Sequence, residues 1–223
     1  MTRTKLKDRV LPDYTKGEER MNMITHIVGG GFGVLILVGA VLLGAFHHNP
    51  WAVVSGSIYG AAMIALYTVS SVYHGLKPGT GKKVMQVIDH CTIYLLIAGT
   101  YTPILLVSVR PLYPVLAWVI FGIQWGLTAL AVALNAVDLK RFRVISMILY
   151  IAMGWCIIVA IRPMLVCCGW TAFGWILGGG ISYTIGAILY GLGRTHRYCH
   201  SVFHIFVNLG SLLQAVAILF YIL

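Results

Sequence analysis

Residues 199–223 read CHSVFHIFVNLGSLLQAVAILFYIL, a pair of histidines at the head of a long apolar run. His200 and His204 are four residues apart, so on a helix they share one face with their Cβ atoms about 5–6 Å apart. At that separation both imidazoles can reach one zinc ion through bonds of about 2.0–2.1 Å. The apolar run places these polar rings close to a membrane, where an unpaired polar group is costly. The stretch therefore predicts a membrane helix that begins with two candidate metal ligands.

The composition of the whole chain is that of a membrane protein. Of its 223 residues, 59% are hydrophobic and only 10% are charged, against about 25% charged residues in an average soluble domain. The formal charge is +10, but the basic residues fall in the gaps between apolar runs instead of forming one patch, so no nucleic-acid partner is indicated. Five cysteines without a framework spacing indicate no disulfide scaffold.

Seven apolar runs are each long enough to cross about 30 Å of hydrocarbon, which takes about 20 helical residues. Because every backbone polar group in lipid must be paired within its own segment, we expect these runs to be helices. The predicted fold class is an all-α membrane protein, a seven-transmembrane-helix bundle over residues 24–223 that follows an N-terminal arm over residues 1–23. The seven runs lie near residues 24–46, 51–74, 84–108, 113–135, 143–162, 170–191 and 200–222.

The Lys and Arg residues divide unevenly between alternate gaps. Fourteen of the sixteen lie in the N-terminal arm or in the gaps after the second, fourth and sixth runs, Lys82 among them, and only Arg110 and Arg162 lie on the other side. Because cytoplasmic loops are enriched in Lys and Arg, we expect a cytoplasmic N-terminus and an external C-terminus. The arm has no apolar core or small-residue cleavage site, so we expect the first run to be an uncleaved anchor.

Polar residues gather at the cytoplasmic ends of three predicted helices. His74 ends the second run, Asp89 lies near the start of the third, and His200 and His204 begin the seventh. Of the six carboxylates only Asp89 enters a span, and an acid inside a membrane helix is a functional candidate. The topology therefore brings these four side chains to one leaflet at similar depth.

Three neutral imidazoles with a fourth position open to water form the ligand set of a catalytic zinc site. With His74, His200 and His204 as the metal ligands, Asp89 could hold and deprotonate a water molecule. Ser70 lies one helical turn before His74 on the same face, where its hydroxyl could orient a ligand or contact substrate. The alternative is a polar cluster without metal, in which the same groups hydrogen-bond to one another and join the helices.

A further polar group, Glu19, Asn22 and His26, lies at the cytoplasmic entrance of the first run. Zinc ligation by His26 is not favoured once three other imidazoles are in place. Capping of the helix or bonding between helices is the favoured role of the group, and the residues alone leave that choice open. His90, next to Asp89, is turned about 100° around its helix and is expected to point elsewhere.

Three motifs in this order resemble those of the hemolysin III family, the bacterial branch of the superfamily that includes the adiponectin and progestin receptors. They are Glu19-x-x-Asn22-x-x-x-His26, Ser70-Ser71-Val72-Tyr73-His74 followed by Asp89, and His200-x-x-x-His204. The resemblance covers nearly the whole chain from Glu19. It implies a seven-helix fold, inverted relative to G-protein-coupled receptors, with Zn²⁺ at the cytoplasmic side of a bacterial inner membrane.

The same resemblance implies roles for single residues. His74, His200 and His204 match the family's zinc ligands, Asp89 matches an acid that contacts zinc directly or through water, and Ser70 matches a serine near the site. The receptor branch is similar to alkaline ceramidases in its site and has been linked to ceramide hydrolysis. The implied activity is zinc-dependent hydrolysis of a lipid amide or ester, with a membrane lipid as substrate.

Two other functions are compatible with these residues. One is a non-enzymatic receptor or regulator of membrane lipid homeostasis, in which zinc ties the second, third and seventh helices and a lipid ligand changes their packing. The other is a membrane-lytic or channel protein, which would need a polar stripe through the full thickness of the bundle. The polar residues gather at one end only, so the lytic function is the least supported by the sequence.

Overall fold

The structure is a computed structural model that describes residues 4–193 and 195–223, and this described part is all-helical. Two of the basic residues counted above, Arg3 and Arg194, lie outside it. Short 3-10 segments occur at Leu6–Asp8 and Trp155–Ala160, and π-helical segments at Ile104–Val109 and Ile218–Ile222. The α-helices are, in chain order, α1 Lys16–Phe46, α2 Pro50–Gly75, α3 Thr80–Pro103, α4 Pro114–Asp138, α5 Arg143–Gly154, α6 Ile161–Leu192 and α7 Cys199–Ala217.

Helical segments of membrane-spanning length and hydropathy recur along the described residues. Six segments meet both criteria, and this confirms a membrane protein with several spans. The segment Arg143–Leu192 has 50 residues and contains both the fifth and the sixth predicted runs. The other five segments are Lys16–Phe46, Pro50–Gly75, Thr80–Val109, Pro114–Asp138 and Cys199–Ile222.

Gly169 interrupts the long segment Arg143–Leu192. Its φ of 74° and ψ of 170° belong to a backbone region that is essentially restricted to glycine, so the chain leaves helical geometry there. The gap expected between the fifth and sixth runs, residues 163–169, contains Gly169, whereas Arg162 and Pro163 lie in the first turn of α6. A proline is tolerated in the first turn of a helix, where its missing N–H would have no helical partner.

A capping box starts α1 earlier than the hydrophobic pattern suggests. The Thr15 side chain accepts a hydrogen bond from the Glu18 N–H, and the Glu18 carboxylate accepts one from the Thr15 N–H at 2.8 Å. This reciprocal pair satisfies two backbone donors that a helix start otherwise leaves unpaired. Because α1 begins at Lys16, ahead of the predicted run at residue 24, Glu19 and Asn22 lie on the same helix as the run itself.

Glycines let α1, α2 and α7 approach one another closely. A Cβ atom at Gly29 on α1 would lie 2.6 Å from the Tyr67 ring on α2, and it would also collide with the Asn208 side chain on α7. Small residues serve this purpose in membranes, where lipid offers no hydrophobic drive between helices. Tyr67 is fully buried at this contact and donates a hydrogen bond to Ser211 on α7 at 2.6 Å. The three helices therefore form one tightly packed wall of the bundle.

Candidate metal centre

Three histidines from two helices meet at one end of the bundle. His74 lies in the last turn of α2, His200 and His204 lie in the first turns of α7, and all three are buried. One ring nitrogen from each ring lies within 4.8 Å of the other two, and Nε2 of His200 is 3.2 Å from Nε2 of His204. The structure thus brings together the three side chains that the sequence predicted to share an ion, and the group could hold a metal ion.

The donor atoms of this histidine group fit a tetrahedral ion such as zinc. Two nitrogens bound to zinc at about 2.0–2.1 Å lie about 3.3 Å apart in tetrahedral geometry, close to the spacing of the His200 and His204 nitrogens. Nε2 of His74 is buried and has no hydrogen-bond partner, although buried polar atoms are normally paired. A cation between the three rings would satisfy that nitrogen, whereas a polar cluster without metal leaves it unpaired.

Residues of α1 hold the outer nitrogens of two of these rings. Nδ1 of His74 lies 2.7 Å from Oε2 of Glu19, and Nδ1 of His204 lies 3.2 Å from the backbone oxygen of Asn22. Because an ionised carboxylate and a carbonyl only accept hydrogen bonds, each Nδ1 donates and each Nε2 keeps its lone pair. The pairing of a histidine with a carboxylate is common around bound metals. Glu19 and Asn22 therefore bond between helices, one of the two roles expected for them.

A buried lysine contacts the same carboxylate. Nζ of Lys82 on α3 lies 2.6 Å from Oε1 of Glu19, and its side chain is only 4% exposed. The hydrophobic pattern predicts Lys82 in the gap after the second run, but α3 begins at Thr80 and carries Lys82 in its first turn. Lys82, Gln86 and Asp89 share one face of a helix, because they are four and seven residues apart. This spacing favours a place for Lys82 on α3 but does not predict its burial, which depends on Glu19 of α1.

Tyr14, from the segment before α1, covers the histidine group. Its ring stacks on that of His200 with centroids 4.8 Å and planes 21° apart, and it lies 5.8 Å from the ring of His74. Burial raises the pKa of the Tyr14 phenol well above its usual range, so the hydroxyl is neutral at physiological pH. Asp13 in the same segment forms an exposed ion pair with Arg197 at 3.3 Å. No local pattern in the sequence marks the Tyr14 contact.

Asp89 and Ser70 lie beside the histidines. The Asp89 carboxylate lies 3.9 Å from Nδ1 of His90. The Asp89 side chain is 17% exposed. Asp89 and Ser70 both line the same cavity as His200 and His204. Among the described residues, the donor atoms that lie within 4.8 Å of one another belong to the three histidines alone. Asp89 is therefore a neighbour of the histidine group and not a member of it.

The cavity that begins at this end runs deep between α3, α5, α6 and α7. Its volume is about 190 Å³. Along α3 the lining extends from Gln86 to Tyr101, a helical rise of about 22 Å, and Gly180 and Gln214 line it on α6 and α7. A long, narrow cavity of this kind can accept a hydrocarbon chain. Its apolar lining includes Ile93, Leu96, Ile97, Trp155, Phe203 and Val207.

Two further histidines lie beside the group without joining it. His26 stacks on His204 with ring centroids 3.7 Å apart, and both of its ring nitrogens are buried without a partner. His90 lines the cavity, with Nε2 3.2 Å from the hydroxyl of Tyr190. The expectation that His90 points elsewhere is wrong, because the inner face of α3 is wide enough to include both Asp89 and its neighbour.

The chain is similar to known proteins over nearly its whole length. A sequence model of the family described as "Haemolysin-III related" matches residues 14–215. The chain is 36% identical to "Hemolysin-3" of Bacillus cereus over 206 residues, which cover 92% of each protein. It is 34% identical to "Hemolysin-3 homolog" of Bacillus subtilis (strain 168) over 208 residues, or 93% of this chain and 96% of that protein. It is 25% identical to "Monocyte to macrophage differentiation factor" of Homo sapiens over 209 residues, or 90% of this chain and 83% of that protein. No solved structure matches the chain.

Proposed function

The chain belongs to the hemolysin III family, and from that premise we propose that it is a zinc-dependent hydrolase that cleaves a lipid amide or ester within the membrane. The observation that carries the proposal is the buried group His74, His200 and His204 beside a long apolar cavity. Three imidazoles with one open position are the ligand set of a catalytic zinc. The cavity offers room for the hydrocarbon chain of a lipid whose carbonyl group lies at the histidine end.

In the proposed reaction, the metal and the residues around it have separate roles. Bound zinc would supply Lewis-acid chemistry, since it lowers the pKa of water and polarises a carbonyl group. Asp89 takes the proton that a water molecule loses as its oxygen attacks the carbonyl carbon, and it passes that proton to the amine or alcohol that leaves. Ser70, which lines the same cavity as Asp89, orients the carboxylate. The apolar lining holds the lipid chain and excludes bulk water from the deeper part of the cavity.

The proposal includes seven membrane-spanning helices. As a single helix, the 50 residues of Arg143–Leu192 would be about 75 Å long, more than twice the roughly 30 Å of hydrocarbon. The break at Gly169 would divide this segment into the fifth and sixth spans. An odd number of spans leaves the N-terminus and the C-terminus on opposite faces of the membrane.

The orientation that we propose follows from charge. With seven spans, fourteen of the sixteen Lys and Arg residues lie on the face of the N-terminus, as expected for a cytoplasmic face. Residues 1–23 are then a cytoplasmic arm and residues 24–223 the transmembrane domain. The histidine group would lie near the cytoplasmic side of a bacterial inner membrane.

Product formation from native lipids tests the hydrolase proposal. Purified protein would be incubated with a bacterial lipid extract, with and without a zinc chelator, and the reaction followed by mass spectrometry. We expect a released fatty acid that disappears with chelator, returns when zinc is added back, and is not formed by the variant Asp89→Asn. Zinc-loaded protein that forms no chelator-sensitive product would contradict hydrolysis.

A zinc-stabilised receptor or regulator is the second function that these residues support. The observation in its favour is the junction of helices at the site, since α2 and α7 supply the rings and α1 supplies Glu19 and Asn22. An ion there would join α2 to α7, with α1 attached through its hydrogen bonds to two of the rings, and a lipid in the cavity would change their packing without reacting. Chelation would then lower the thermal stability of the protein, and no product would form under any condition.

A further inference from the structure

Lys82 has no part in the reaction described so far, yet its side chain is only 4% exposed. Burying an ammonium group is costly unless it is paired and hydrogen-bonded. We infer that Lys82 is a positioning residue for the metal centre, which fixes His74 both through Glu19 and through the last turn of α2, and thereby sets how tightly the site holds its ion. The inference rests on the metal site of the proposed function.

The first route runs through the backbone that carries His74. Nζ of Lys82 lies 3.0 Å from the carbonyl oxygen of Leu76 and 3.5 Å from that of His74. These carbonyls end α2, and the C-terminal end of a helix carries partial negative charge that favours a cation. Nζ also lies 5.1 Å from the centroid of the Tyr73 ring. Lys82 therefore contacts the last turn of α2, the backbone segment that carries the His74 side chain.

The second route runs through Glu19, whose two oxygens have different partners. Oε1 lies 2.6 Å from Nζ of Lys82, and Oε2 lies 2.7 Å from Nδ1 of His74. The ammonium compensates the charge of the carboxylate, which remains a strong acceptor for the imidazole N–H. A histidine that donates Nδ1–H to a carboxylate has a fixed ring plane and a more basic Nε2 toward a metal. Without Lys82, one oxygen of Glu19 loses its partner, and the carboxylate can turn away from His74.

A purely structural link between α1 and α3 would behave differently. Its loss would lower the stability of the fold without changing the surroundings of a bound ion. The order Lys82–Glu19–His74 predicts instead that removal of the ammonium alters the ion's ligand geometry in a protein that is still folded. Cobalt(II) in place of zinc reports that geometry, because its visible absorption bands depend on the number and arrangement of the ligands.

The experiment compares Lys82→Met, which keeps the length of the side chain, and Lys82→Gln, which keeps a donor for the Leu76 carbonyl, with Lys77→Met as control. Lys77 is an exposed lysine near the end of α2. The full-length variants would be loaded with zinc or cobalt, and their metal affinity measured by competition with a chelator. We expect both Lys82 variants to bind metal about 10–100-fold more weakly and to shift the cobalt bands, while Lys77→Met matches the wild type.

A double-mutant cycle separates the two routes. If Lys82 acts through Glu19, the double variant Glu19→Gln/Lys82→Gln should lose much less affinity than the sum of the two single losses. Wild-type affinity and unshifted cobalt bands in both folded Lys82 variants would overturn the inference and leave the metal site standing. Wild-type protein that binds neither zinc nor cobalt would overturn the metal site and the inference with it.

Discussion

Nδ1 of His74 on α2 and Oε2 of Glu19 on α1 lie 2.7 Å apart. The contact joins the first sequence motif to the second and leaves Nε2 of His74 buried without a hydrogen-bond partner. One turn along α1, the backbone oxygen of Asn22 holds Nδ1 of His204 at 3.2 Å. The first motif therefore acts from outside the histidine group, where it sets the orientation of rings that belong to the other two motifs.

Glu19→Gln should weaken metal binding by about 10–100-fold, the usual effect of removing a partner of a metal-binding histidine. A glutamine amide is a weaker acceptor for the His74 N–H and does not balance the charge of Lys82. Affinity would be measured by chelator competition. Asp8→Asn, which neutralises an exposed carboxylate of the N-terminal arm, is the control. Equal affinity in the two variants would rule out the proposed role of Glu19.

Asp89→Asn should keep its metal and lose turnover by about 10²–10⁴-fold, the usual contribution of a general acid–base. An amide of nearly the same shape cannot take up the proton of the attacking water. The two measurements are metal content and the rate of fatty-acid release from the substrate found in the lipid extract. A variant that carries its metal and hydrolyses lipid at the wild-type rate would exclude Asp89 as the base.

Gly180→Leu should shift the products toward shorter fatty acids. Gly180 lines the cavity away from the histidines, and an added Cβ would meet no atom within 4 Å, so a larger side chain would fill the space that a long chain occupies. Product lengths would be read by mass spectrometry. Gly174→Leu, at an exposed position on the same helix, should leave them unchanged. An unaltered distribution in Gly180→Leu would show that the chain does not lie in this cavity.

Gly29→Ala should lower the free energy of unfolding by about 1–3 kcal/mol, the typical cost of overpacking. The added methyl group would lie 2.6 Å from the Tyr67 ring, which is fully buried and cannot move aside. Gly31→Ala, on the same helix with no atom within 4 Å of its Cβ, should be neutral or stabilising by up to about 1 kcal/mol. Unfolding in mixed detergent micelles would measure both, and equal stability would contradict the close α1–α2 contact.

The histidine group could be predicted from the sequence because it depends on few quantities. The alternation of spans decides which helix ends share a face of the membrane, and the position of a residue within its run gives its depth. The end of the second span and the starts of the third and seventh spans lie on the same side of the membrane. These ends carry His74, Asp89, His200 and His204, so their convergence could be predicted without knowledge of helix packing. The structure brings them to one end of the bundle.

Lys82, Tyr14 and Gly169 could not be placed in this way. Lysines near membrane ends are usually solvated, so the pattern assigned Lys82 to a loop; its burial depends on the partner that α1 provides. The contact of Tyr14 with His200 depends on the path of the segment before α1. A break was expected within residues 163–169, but the sequence did not single out Gly169. The conformation that a glycine adopts is decided by its surroundings rather than by its own type.

Metal analysis of the purified protein tests the central claim most directly. Protein prepared without chelators would be analysed by inductively coupled plasma mass spectrometry, beside the single variants His74→Ala, His200→Ala and His204→Ala and the exposed control His196→Ala. We expect about one zinc ion per chain in the wild type and in the control, since three imidazoles and one open position hold a single ion, and little or none in the three variants. Wild-type protein without zinc, or variants that keep it in full, would contradict the account.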